Sequence, residues 1–119
     1  MRFCYLSLRR KPVSFQSLTG VSVTQFEELV KRLRPRWTRL EKRKKLAGAP
    51  LKVGGLDDQI LAVLLYYRCY ITQEFIGYLF GVDKATICRA IKRLEPLLAR
   101  AVPLKKDRTL SAERVEAII

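Results

Sequence analysis

The chain contains no histidine, and only 11 of its 119 residues are Asp or Glu. Its cysteines are three, Cys4, Cys69 and Cys88, an odd number at wide spacing. Without histidine beside them they support neither a Cys/His zinc site nor a disulfide framework, and they read as reduced thiols of a cytosolic protein. Cys69 and Cys88 fall within predicted helices, where a cysteine serves as a small packing residue. Long hydrophobic runs are also missing: the longest, ILAVLLYY at 60–67, is far short of the roughly 20 residues a bilayer-crossing helix needs. The first ten residues, MRFCYLSLRR, lack the apolar block and small-residue cleavage site of a targeting segment. The shortage of acid leaves 24 Lys and Arg poorly balanced, for a net charge of +13. Such a chain expects a polyanionic partner, with nucleic acid ahead of anionic membrane or acidic protein.

What is present suffices for one modest core, since 49% of residues are apolar. The patterning predicts an all-α fold, a small helical domain of about four to six helices over 15–102. A basic N-terminal arm (1–14) precedes it, and a linker with the start of a further domain (103–119) follows. Ser22 with Gln25 three positions on forms a capping box, and Val23, Phe26, Leu29, Val30 and Leu33 recur at helical spacing, which predicts a helix over 23–34. Pro35 is expected to end or kink it, although Trp37 and Leu40 argue for folded chain beyond. Basic residues crowd 31–52, where Arg43, Lys44 and Lys45 are candidates for DNA phosphates on a surface that a solvated linker would explain equally well. Gly and Pro at 47–55 predict a loop. Asp57 and Asp58 then open a helix that is apolar nearly all round, the expected centre of the core. A third carboxylate is wanting there, so the pair reads as a helix cap.

The most informative spacing is TQEFIGYLFGVDKATICRAIKRLEPLL. Thr72 caps a short helix whose stripe is Phe75, Ile76, Leu79 and Phe80; Gly77 within it implies a close approach, since a mid-helix glycine costs about 1 kcal/mol relative to alanine. Gly81 suits a left-handed helix end, Val82 a corner plug and Asp83 the next cap. In the helix that follows, Ile87, Ile91, Leu94 and Leu98 share one side, with Ala85, Cys88, Arg89, Lys92 and Arg93 on the other. Residues 73–94 thus describe a helix-turn-helix, whose second helix enters the major groove of duplex DNA. Ala85, Thr86 and Arg89 are the candidates for base edges, and Lys84, Lys92 and Arg93 for phosphates. Pro96 is expected to kink or close this helix near 95, although Leu97, Leu98 and Val102 keep the apolar pattern going. Ser111 caps a last apolar segment, AERVEAII.

These residues resemble the N-terminal region of DDE-type insertion-sequence transposases of the insertion-sequence-five group. The resemblance runs from about Phe15 and is carried by SFQSLTG and by Phe75, Gly77, Phe80, Gly81, Val82, Lys84, Thr86 and Arg89 at their mutual spacing. It implies binding to the terminal inverted repeats of a mobile element, with a ribonuclease-H-like domain carrying three metal-binding carboxylates as the continuation. That domain is expected as a separate or frameshift-fused partner. Asp83 stands where serine is more usual. Asp57, Asp58, Asp83 and Asp107 read as caps and loop residues, so no catalytic set, metal site or cofactor is expected in this chain. A dimeric transcriptional regulator on a palindromic site is the alternative. An RNA-binding reading rests on charge and on Tyr66, Tyr67, Tyr70 and Tyr78. Duplex DNA as partner, a homodimer, no membrane, and a cytoplasmic, nucleoid-associated location complete the expectations.

Overall fold

A computed structural model describes residues 3–44, 55–101 and 110–118. At its centre lies the helix over Leu56–Arg68 (α4), in which Ile60 through Leu65 are all buried. A helix apolar on every side needs neighbours on every side. Around it pack α1 (Tyr5–Leu8), α2 (Pro12–Thr19), α3 (Val23–Lys44), α5 (Gln73–Phe80) and α6 (Lys84–Ala101). The last helix, α7 (Ala112–Ile118), lies against α2. Two residue pairs form the small parallel ladder of β1 (Cys69–Tyr70) with β2 (Leu110–Ser111), matching Cys69 to Leu110 and Tyr70 to Ser111. The fold is all-α, with seven helices among the described residues where four to six were expected.

Local chemistry sets several boundaries. Pro12 occupies the first turn of α2, where its missing N–H is no loss, and Gly20 closes that helix at φ +80°. The capping box of α3 forms as predicted: the Gln25 N–H donates to Ser22 Oγ at 3.1 Å, and the Ser22 N–H donates to Gln25 Oε1 at 2.9 Å. Phe26, Leu29 and Leu33 are buried as the periodicity requires.

The differences from expectation are instructive. Neither proline ends its helix: α3 runs through Pro35 and α6 through Pro96. Both are exposed, so the carbonyl one turn earlier that loses its N–H donor can turn to water. Residues 3–8 belong to the domain and are no free arm. Tyr5 stacks on Phe26 with centroids 4.8 Å apart and meets Phe15 edge-on at 5.9 Å, while Phe3 meets Phe80 edge-on at 5.1 Å. Asp58 caps across the fold, accepting the Tyr5 N–H at 2.8 Å, so its carboxylate serves α1. Cys69 sits in β1 and not in a helix, and burial pushes its thiol up to about 11, which leaves it protonated and inert. The segment 110–118, expected as part of a linker, returns to the core through fully buried Val115. Asp107 and the basic connector at 103–109 lie outside the described residues.

Candidate nucleic-acid interface

Gly77 is the hinge of the site. A Cβ at this position would sit 2.6 Å from the Val82 carbonyl oxygen and 3.2 Å from the Asp83 carbonyl carbon, so only glycine lets the turn lie flat on α5. The Val82 N–H donates to the Gly77 carbonyl at 2.8 Å and locks that approach. Gly81 ends α5 at φ +72°, a left-handed conformation costly for side chains. Thr72 Oγ1 accepts the Phe75 N–H at 3.0 Å and holds the other end.

Asp83 fixes where α6 starts. Its Oδ1 accepts the Thr86 N–H at 2.8 Å and the Thr86 hydroxyl at 2.6 Å. From that start, Ile87, Ala90, Ile91, Leu94 and Leu98 turn inward and are buried. Lys84, Ala85, Arg89 and Lys92 are consequently exposed together, with Cys88 and Arg93 half-buried at the margins. Six of the nine residues predicted to touch DNA therefore lie on one helix, five of them on or beside its outward side.

Thr86 is the correction. It is 8% exposed and its hydroxyl is spent on Asp83, so it builds the cap and presents no polar group outward. A threonine three positions after a capping aspartate can turn back to it, and that is the spacing from which its other role could have been read. Arg43 and Lys44 lie in the last turn of α3, and Lys45 falls outside the described residues. Arg100 is invisible to any reading that closes the helix at Pro96; it lies on the exposed side of α6 as that helix continues. Tyr78, on the outer side of α5, is 79% exposed and borders Phe75 at 6.4 Å between centroids. It stands out where the other tyrosine side chains described are buried or half-buried. Among the described residues no three His, Cys, Asp or Glu side chains gather as a metal site would require, and no helix is long and apolar enough to cross a membrane.

Residues 52–104, which hold α4, β1, α5 and α6, match the family described as the helix-turn-helix of DDE superfamily endonuclease. The chain is 32% identical over 97 residues to a probable transposase for insertion sequence element IS702 from Microchaete diplosiphon. That alignment covers 78% of this chain and 33% of the relative, so the chain spans about a third of that protein's length. No solved structure matches the chain.

Proposed function

We propose that this chain binds duplex DNA through the outward face of α6 and recognises the terminal inverted repeats of an insertion sequence, as the non-catalytic N-terminal part of a DDE transposase of the insertion-sequence-five group. The observation that carries the reading is the corner at Gly77 and Gly81, which leaves Arg89, Lys92, Lys84 and Ala85 exposed on one side of a helix whose other side is anchored. A helix so mounted fits the major groove. Arg89 is suited to bond a guanine through both its O6 and N7, Ala85 to meet a thymine methyl, and Lys84, Lys92 and Arg93 to hold phosphates. Strand cleavage and joining fall to a carboxylate domain on a longer form of the protein or on a second product.

Gel-shift titration of an element's terminal repeat against a scrambled duplex of equal length checks this reading. Preference for the repeat is expected, and Arg89→Ala should cost about 1–3 kcal/mol on it while leaving the scrambled duplex nearly unaffected. Equal affinity for both duplexes at every salt concentration would defeat the recognition claim. Two-to-one binding to a promoter palindrome, with none to the element's ends, would replace it with the regulator.

A further inference from the structure

A cleft opens between the C-terminal halves of α3 and α6. Arg36, Arg39 and Leu40 line one wall and Leu97 and Arg100 the other, enclosing about 420 Å³. A neighbouring lobe of about 330 Å³ shares Leu40, Leu97 and Arg100 and adds Arg93. Arginines from two helices thus ring a floor of two leucines. Among the described residues Arg36, Arg39 and Arg100 have no ion pair with a carboxylate; an ion pair that is formed, Arg9 with Glu27 at 3.3 Å, lies on other elements. The acid nearest in sequence on α6, Glu95, exerts its charge on Tyr67 of α4, whose hydroxyl is raised first by burial and then by Glu95. Exposed guanidinium groups brought to one groove from two helices raise the positive potential there, which a polyanion lowers when it binds.

We propose that this cleft is a second DNA contact, a clamp on the sugar-phosphate backbone beside the bases read by Arg89. The inference rests on α6 being the DNA-reading helix. Arg89, Arg93 and Arg100 recur at i, i+4 and i+11, which places them within about 40° of one another around α6 and about 16 Å from end to end. The cleft therefore continues the reading face of the same helix, and a duplex seated on Arg89 carries its backbone toward Arg100. Planar guanidinium forks bond phosphate oxygens in pairs, and the leucine floor suits the apolar side of deoxyribose. Half of the clamp comes from α3, outside the stretch 52–104 that matches the helix-turn-helix family.

The test uses the full chain, random-sequence duplex DNA, and a duplex enriched from a random pool by binding. The double variant Arg36→Gln with Arg39→Gln should make the negative slope of log K against log salt shallower by about 1.8, at about 0.9 for each phosphate no longer neutralised. Its sequence preference should persist. The control Lys31→Gln with Arg34→Gln removes the same charge from exposed positions of α3 outside the cleft and should leave the slope close to wild type. Thermal melting monitored by circular dichroism establishes that each variant folds. Ethylation of phosphates flanking the block of contacted bases should interfere with wild-type binding and leave that of the cleft variant unaffected. An equal change in slope from the control, or an unchanged slope with altered self-association or altered RNA binding instead, overturns the clamp. Arg89→Ala separates the two readings. Should it leave sequence preference intact while the cleft variant still makes the slope shallower, base reading by Arg89 fails and a backbone contact at the cleft remains; the reverse pattern removes the clamp alone.

Discussion

Gly77 and Gly81 stand one helical turn apart, yet each excludes a side chain for its own reason. At Gly77 the backbone is ordinary helix, so alanine would gain about 1 kcal/mol of helix propensity. Against that gain stands a 2.6 Å contact with a backbone carbonyl, which cannot rotate aside as a side chain could. Overpacking of this kind costs about 1–3 kcal/mol, and relieving it moves Asp83, the residue that sets the start of α6. Gly77→Ala is therefore expected to lower stability in urea and to weaken DNA binding beyond what the stability loss explains. Gly81 meets nothing within 4 Å, so Gly81→Ala should cost only the left-handed backbone penalty of about 1–2 kcal/mol, with binding by the folded fraction unchanged. Asp83→Ser is a milder probe. Serine can accept the Thr86 N–H as Asp83 does, so stability should stay within about 0.5 kcal/mol. With α6 in the groove as proposed, the change removes one negative charge beside the phosphates, so duplex affinity should rise, most at low salt. An affinity that falls would mean that Asp83 itself touches the DNA.

Among the elements, the two prolines within helices ask what a helix tolerates when its far side is anchored. Pro35 is exposed, with Leu33 buried and Trp37 and Leu40 half-buried against the core, so packing holds α3 together where a backbone hydrogen bond is missing. Pro35→Ala restores that bond and should raise stability by about 1–3 kcal/mol, since proline in a helix interior costs about 3 kcal/mol relative to alanine. A melting temperature that stays level or drops would show that the helix bends at Pro35 and that its neighbours are built around the bend. The same balance explains what could be read in advance. Caps and periodicity are local: Ser22 with Gln25, Thr72, Gly81 and Asp83 each act within a few residues, and all of them set helix ends where expected. The helices continue past Pro35 and Pro96, where an end or a kink was expected, because the deciding energy, packing of Trp37 and Leu40 and burial of Leu97 and Leu98 against other helices, is tertiary. The inward turn of Thr86 was hidden for the converse reason, since a small polar residue on an outer face offers itself equally to DNA and to the cap behind it.

For the molecule as a whole, the question is how much of it the domain needs. Tyr5 and Leu8 are 5% and 6% exposed, at a place where a four-residue helix left no periodicity for the sequence to show. Their burial contributes about 1.5–3 kcal/mol each, and the stack on Phe26 about 0.5–1.5 kcal/mol more. Small domains are stable by only about 5–15 kcal/mol in total. Deleting residues 1–8 should therefore remove a large part of the stability and broaden or abolish the cooperative urea transition, whereas loss of a merely basic arm would leave that transition in place and weaken DNA binding alone. Tyr5 also provides a finer readout. Its hydroxyl donates to Glu27 Oε1 at 3.0 Å, and its pKa is pushed up to about 12, first by burial and then by that carboxylate. A group whose folded pKa is raised stabilises the fold in full below its unfolded value, near 10, and loses that contribution as pH climbs toward 12. Wild-type stability should thus fall across pH 10–12 more steeply than that of Tyr5→Phe, which has no proton to lose. Parallel alkaline profiles for the two proteins would mean that Tyr5 ionises as freely in the native chain as in the unfolded one, and that the N-terminal segment is not seated in the core.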